Sequence, residues 1–510
     1  MAGKSASKAA AKAITVVLVH GWSVRTTETY GALPEKLRDE ARKLKGKANA
    51  PKIDVHNIWL SRYISFHNEV RLKDIARALD AALRDEFGDN LEKRKLAMIT
   101  HSTGGPAVRE WLQRHYVNEG RKLPLDYLVM LAPANFGSAL AQLGRTRLGR
   151  LKAWFEGVEP GLGVLDWLEL GSPESMHLNG EWRRGWKKLR QQGLYSFVLT
   201  GASIDHKAYD HVNSYTGEMD SDGVVRTAAA NLNHRHLTLE QASSDGSKRD
   251  FLPLVLTEQH ELTGIPFRLL PGMAHSGDRM GIQRSVRKTS QDHPTVDAIL
   301  ACLSVRSAAD YRKLDRQFAR DSVEIEAAQR VEVRDLPGPF DRTRINDPGS
   351  QVVFRLHDDA GEPIRDFEVI LTAGEDDPDR LPPGFLLDRQ RNSRDGSTLT
   401  FYFNAARMLG AAAVEDQDGG LREELPGCEA LGMKIIAYPL DGFVHYRPAI
   451  LPASKEFLEA LIVPHQTTVV DIVLHRVVRK NVFRIGKRHE TSDFTRSEPG
   501  PPLPGGTSRD

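Results

Sequence analysis

A serine hydroxyl becomes a nucleophile only when a base takes its proton, and a histidine serves as that base only when a third group orients its ring. Three stretches of this 510-residue chain carry residues of those types. The run Ile99-Thr100-His101-Ser102-Thr103-Gly104-Gly105 follows the apolar Leu96 to Thr100 and leads into Val108, Trp111, Leu112 and Tyr116 at helical spacing. That pattern reads as strand, tight turn and helix, with Ser102 on the turn. Phe267 to Leu270 reads as a strand and Pro271-Gly272-Met273-Ala274 as a loop, so His275 stands just past a strand's carboxyl end, where catalytic groups gather in open α/β sheets. His260 and His293 are the other candidate bases. Between the apolar run Phe197 to Gly201 and His275 lies Met219-Asp220-Ser221-Asp222-Gly223-Val224-Val225, which offers Asp220 and Asp222 as the orienting carboxylate, with Asp205 and Asp210 behind them. A serine, a base and a carboxylate together would perform acyl transfer through a covalent intermediate.

Such residues need a rigid frame. From Ile14 to about Ala319 short apolar runs alternate with helical patterns, which predicts a doubly wound, mostly parallel sheet in an α/β unit spanning 14–322. Ile14 to Val19, Leu96 to Thr100, Tyr127 to Ala132, Phe197 to Gly201 and Phe267 to Leu270 are the expected buried strands. Leu72, Ile75, Ala76, Leu79, Ala82, Leu83 and Phe87 mark a helix packed on the sheet, and Pro294 opens what reads as the last helix, through Ile299, Leu300 and Leu303. Residues 323–349, with Pro337, Pro339 and Pro348, read as a linker. In 350–485 the pattern changes to β-rich runs, among them Gln351 to Leu356, Phe367 to Thr372, Leu399 to Phe403, Met433 to Tyr438 and Thr468 to Leu474, which predict a smaller antiparallel β-sandwich-like domain. Residues 1–13, with Lys4, Lys8 and Lys12, read as a flexible basic tail, and the Pro- and Gly-rich 486–510 as a disordered one.

The serine string resembles the G-x-S-x-G nucleophile elbow of the α/β-hydrolase superfamily, with Gly104 as the second glycine and Thr100 standing where the first is usual. Val16-Val17-Leu18-Val19-His20-Gly21-Trp22 resembles the strand and loop that supply an oxyanion amide in that superfamily. The resemblance implies that the backbone N–H groups of Trp22 and Thr103 hold the developing oxyanion, each worth roughly 3 to 4 kcal/mol. The stretch Asp222-Gly223-Val224-Val225 is similar to the Asp-Gly-aliphatic-Val element of bacterial lipases and lecithin:cholesterol acyltransferase-like enzymes. It implies Asp222 as the acid and completes the family order of serine, acid, histidine. Ala132-Pro133 followed by Gly137-Ser138 adds to the likeness, which covers about Ile14 to Leu303. What it implies is a serine lipase or phospholipase with an inserted cap, cleaving carboxylic esters of a lipid or other substrate. Transfer of the acyl group to another alcohol uses the same triad, and a lipid-binding module with a vestigial site is the reading outside enzymes.

Charge and composition narrow the partners. Lys and Arg number 70 against 68 Asp and Glu, so no single-sign field points to nucleic acid. The run Ile14 to Val19 is far short of the roughly 20 residues that span a bilayer or the apolar core of about 7 to 15 in a signal peptide. Cytoplasmic synthesis is therefore expected, with any export proceeding without a cleavable signal, as in the lipase effectors of type VI secretion that the chain generically resembles. Two cysteines, Cys302 and Cys428, make no disulfide framework or metal cluster. No cofactor is expected, and Asp220 and Asp278 are the only candidates for calcium. The insertion at about 139–190 holds four of the seven tryptophans, Trp154, Trp167, Trp182 and Trp186, among cations such as Arg183, Arg184, Lys187 and Lys188. That mixture predicts a lid with peripheral membrane contact; the alternative is a roof over the core. His357, His445, His465 and His475 are scattered through the C-terminal unit without a catalytic pattern, leaving that unit as scaffold or as the docking site of a lipid, a sugar or an export partner.

Overall fold

A computed structural model describes residues 13–20, 29–44, 51–65, 67–142, 161–204, 219–243, 250–334, 342–416 and 419–478. The apolar runs of the first half become β1 (Ile14–His20), β2 (Ile53–Trp59), β3 (Leu96–His101), β4 (Leu125–Leu131) and β5 (Tyr195–Gly201). After these come β6 (His234–Gln241) and β7 (Leu252–Leu262), which leave for another sheet, and β8 (Phe267–Leu270). The first sheet runs β2-β1-β3-β4-β5-β8, every neighbouring pair parallel. Central strands such as Leu96 to Ile99 and Leu128 to Leu131 are wholly buried, as expected where helices cover both faces. The first three α-helices among the described residues are α1 (Leu33–Lys43), α2 (Leu72–Phe87) and α3 (Gly104–Leu112), the last of which follows Ser102. The predicted stripe of α2, from Leu72 to Phe87, is the one it buries. Strand order reverses between β1 and β3, and the crevice beyond the carboxyl ends at such a switch point is where ligands bind in open α/β sheets.

Among the described residues a second, nine-stranded sheet follows the order Phe367–Thr372, Leu431–Ala437, Ala449–Ser454, β7, β6, Thr467–Leu474, Gly349–Asp358, Thr398–Asn404 and Leu386–Arg391. It is mixed rather than antiparallel, because Thr467–Leu474 pairs in parallel with both β6 and Gly349–Asp358. The β6–β7 hairpin lies within the expected 14–322 unit but completes this second sheet. Leu237, Leu239 and Leu254 explain why: they enter the second core beside Phe354, Phe401 and Ile472. The helix Ala308–Ala328 likewise runs past the expected boundary at 322, because Tyr311, Leu314, Phe318 and Ser322 form one stripe buried on the first unit. Most of the expected linker is structured, with Val331–Arg334 pairing with Arg342–Ile345. Residues 1–12 and 479–510, which include the expected tails except for Ala13, lie outside the described residues. No described helix is long and apolar enough to cross a membrane.

Candidate active site

Ser102 sits between the end of β3 and the start of α3 with φ of 52°. A side-chain-bearing residue is strained there, and the strain is held by the Ser102 N–H, which donates to Leu131 O on β4 at 3.0 Å. A Cβ on Gly105 would come within 3.0 Å of Pro133 Cβ and 3.2 Å of Met130 Sδ, so glycine lets α3 rest directly on β4. The departure at Thr100 is absorbed the same way: a Cβ on Gly104 would lie 3.3 Å from Thr100 Cβ, so the glycine kept at one end of the motif faces the bulk added at the other. Thr103 is the N-cap residue of α3, which places its backbone N–H at the helix's donor-rich end, next to Ser102.

The other two expected residues converge on this turn. His275, 3% exposed, lies five residues beyond β8 and brings Nε2 to 3.0 Å from Ser102 Oγ. Its Nδ1 is 2.8 Å from Asp222 Oδ2, and its backbone N–H donates to Asp222 O at 2.9 Å. Asp222 is fully buried, and its Oδ1 accepts the backbone N–H groups of Val224 and Val225 at 3.0 and 2.7 Å. A carboxylate so held presents only Oδ2 to the imidazole. That makes Nδ1 the protonated nitrogen and leaves Nε2 free to accept from the serine. Ser138, from the Gly-Ser pair after β4, steadies the same turn by donating its hydroxyl to Val224 O at 2.6 Å.

The competing candidates are placed elsewhere. Asp220 turns its carboxylate to Gly349 N–H at 2.8 Å and to His465 Nδ1 at 2.9 Å. His260 lies on β7 beside Glu258. His293 caps the helix Pro294–Leu303, accepting from Thr295 N–H. Asp205, Asp210 and Trp22 lie outside the described residues. The calcium expectation does not fit this site, since Asp220 is committed to His465 and Gly349 and Asp278 pairs with Arg284 at 2.5 Å. Among the described residues no group of three or more His, Cys, Asp or Glu side chains could hold a metal.

A further residue beside the serine, His101, reaches the base. His101 donates Nε2–H to the His275 carbonyl at 2.9 Å and accepts from Gln283 Nε2 at Nδ1, 3.0 Å. Its ring lies 4.6 Å from the His275 ring. Burial first, and the neighbouring His275 second, push the His101 pKa well below the usual imidazole value, so it stays neutral and keeps that donor–acceptor pattern. Its position next to Ser102 is visible in the sequence; its contact with a residue 174 positions away is not.

Of the four tryptophans expected at a lipid interface, the three described ones face inward instead. Trp167, Trp182 and Trp186 are 4%, 0% and 8% exposed, and Trp154 lies outside the described residues. In the helix Pro173–Gln191, Trp182 stacks on Trp186 at 6.2 Å between centroids, and the buried Arg109 guanidinium sits 4.9 Å from the Trp182 ring. Arg109 also donates to Asn135 and Asn179. The Trp182 ring lies against this buried cation and the three indoles fill the core, while Arg184, Lys187 and Lys188 on the same helix stay exposed and Arg183 is partly buried.

No protein-family model and no curated protein sequence matches the chain. Among solved structures, phospholipase PlaB from Legionella pneumophila aligns at 39% identity with a TM-score of 0.81, covering 94% of this chain and 97% of that one. The same enzyme in complex with thio-NAD gives 39% identity and a TM-score of 0.80 over the same shares. The mature form of Bacillus licheniformis lipase BlEst2 aligns at 19% identity over 43% of this chain and 79% of that chain, with a TM-score of 0.31. Identity at this level along nearly the whole of both chains shows that the protein belongs to the α/β-hydrolase family of Legionella phospholipase PlaB.

Proposed function

We propose that this protein hydrolyses carboxylic esters of lipids, phospholipids foremost, through Ser102, His275 and Asp222 and an acyl-enzyme intermediate. The observation that carries the reading is the unbroken hydrogen-bond chain from Ser102 Oγ through both nitrogens of His275 to Asp222, at 3.0 and 2.8 Å. The phospholipase named among the solved relatives supports the substrate class. In the first half-reaction His275 Nε2 takes the Ser102 proton as Oγ attacks the ester carbonyl carbon. Asp222 keeps the imidazole in the right tautomer and stabilises the imidazolium. The Thr103 N–H, and by family resemblance that of Trp22, would receive the oxyanion. Collapse of the tetrahedral intermediate expels the alcohol, which takes its proton from Nε2 and leaves Ser102 acylated. Water, deprotonated by His275, then cleaves the acyl-enzyme and restores the serine. Ser102→Ala should lower hydrolysis of short p-nitrophenyl esters and of phospholipid vesicles by about 10⁴-fold or more and abolish fluorophosphonate labelling, with the fold unchanged. Parental hydrolysis by that variant would refute the assignment.

A further inference from the structure

The turn that carries Asp222 is held from outside its own unit. Asp220, two residues earlier and also at positive φ, is bonded at every backbone and side-chain oxygen and at its nitrogen. Its N–H donates to Asn346 Oδ1 at 2.9 Å, its carbonyl accepts from Thr227 N–H at 2.9 Å and from the Tyr402 hydroxyl at 3.3 Å, and Oδ2 accepts from Gly349 N–H at 2.8 Å. Against both carboxylate oxygens, at 3.0 and 2.9 Å, lies Nδ1 of His465. His465 precedes the strand Thr467–Leu474 of the second sheet, and its Nε2 is 2.8 Å from Glu326 Oε2 near the end of the helix Ala308–Ala328. The ring is fixed in turn: the His465 N–H donates to Gly349 O at 2.8 Å, its carbonyl accepts from Asn231 Nδ2 at 2.9 Å, and Phe267 stacks on it at 6.5 Å.

We infer that His465 is a positioning residue for the reaction: bridging Asp220 and Glu326, it locks the Asp220-Ser221-Asp222 turn so that Asp222 meets His275 Nδ1, and the second unit thereby sets the activity of the first. This inference rests on the triad proposed above. An imidazole between two carboxylates must donate from both nitrogens, and it can do so only as the cation. Burial alone would push its pKa down, but Asp220 and Glu326 hold it up at about 10, so the bridge is complete at neutral pH. With Asp220 bonded on all sides, the turn that carries Asp222 is anchored to the second unit two residues before the acid. A displacement of about 1 Å in a catalytic group is enough to cost on the order of 10²-fold.

The test is a double-mutant cycle between His465→Gln and Asp222→Asn, with rates divided by the number of sites counted by exhaustive fluorophosphonate labelling. His465→Gln keeps a hydrogen-bonding side chain but loses the charge and one donor. In the parent background it should lower kcat about 10- to 100-fold with KM within about twofold. In the Asp222→Asn background it should cost less than about twofold, because the group it positions has already lost its function. Glu326→Gln, a milder change at the outer end of the bridge, should lower kcat in the same direction by a smaller factor. An equal loss in both backgrounds, parental kcat in His465→Gln, or failure of both His465→Gln and Glu326→Gln to yield folded protein would overturn the positioning role and leave a structural ion pair. Parental activity in Asp222→Asn would instead sink the triad itself, whatever His465 does.

Discussion

The carboxyl edge of the parallel sheet and the seam between the two units are built on opposite terms. At the edge, each residue of the proposed triad lies within a few positions of a strand end or on a tight turn. Backbone groups do much of the placing: Ser102 N–H on Leu131 O, His275 N–H on Asp222 O, and the amides of Val224 and Val225 on Asp222. At the seam the contacts are side chains far apart in sequence. Arg226 reaches Asp388 and covers the Tyr402 ring at 4.2 Å, Ser393 donates to Glu169, and Gly171 lies so close to Thr398 that a Cβ there would meet Cγ2 at 2.3 Å. Val353 and Val469 of the second sheet enter the first core. On the proposed mechanism the edge governs rate, while the seam governs stability and, by the inference drawn for His465, the aim of the turn that bears Asp222. A substitution should reveal which region it touches by whether it changes kcat or unfolding first.

The largest break in that comparison should come at Trp182, on the helix Pro173–Gln191. Trp182→Ala removes a fully buried indole and the aromatic face beside Arg109, at a cost of about 3 to 5 kcal/mol. Urea unfolding should show that loss, while turnover of a short soluble ester per folded molecule stays within about twofold. A variant of parental stability that no longer binds anionic vesicles would return Trp182 to the membrane surface.

A smaller effect, on the opposite axis, is expected at the edge. His101→Ala removes the donor to the His275 carbonyl and the ring beside the base. One such hydrogen bond is worth about 0.5 to 1.5 kcal/mol, so kcat should fall by up to about tenfold with KM unchanged. Initial rates with p-nitrophenyl butyrate measure this directly, and parental kcat would reduce His101 to packing.

The smallest effect concerns the seam's charge. The pKa of His465 is raised from 6.5 to about 10 in the folded protein, so its contribution to stability is complete below the unfolded value and drains away as pH climbs from about 6.5 towards 10. The melting temperature of the parent should decline over that window by a few degrees more than that of His465→Gln. Parallel curves for the two proteins would show that Asp220 and Glu326 give the ring no net stabilisation.

The edge was largely legible in the sequence because its parts are local. Strand, turn and helix around Ser102 show in a switch of hydrophobic period, and His275 follows a strand that ends at a Pro-Gly loop. Between Asp220 and Asp222 the residues alone could not choose: both are carboxylates on one short turn. The structure separates them through Gly349 and His465, which hold Asp220 from more than a hundred positions away. For a related reason the sequence around Trp182 and Trp186 does not tell surface from core. Interleaved aromatics and cations describe both an interfacial helix and a helix whose indoles pack inward while its cations stay in water. Only a partner such as Arg109, itself invisible as a buried cation in a helical sequence, decides between them.

What the sequence determined by itself was therefore the parallel sheet and the turn bearing Ser102, since each follows from periodicity, turn chemistry and spacing within a few residues, with the order of the proposed triad supplied by the family resemblance. Tertiary structure alone decided that β6 and β7 complete a mixed second sheet, that Trp167, Trp182 and Trp186 are core, and that His465 of the C-terminal unit pairs with Asp220 on the turn that bears Asp222. Hairpin exchange between sheets, burial of an indole against a guanidinium and an ion pair across 245 positions depend on which surfaces meet, and one-dimensional patterns carry the affinity of a surface for burial without naming the surface that buries it.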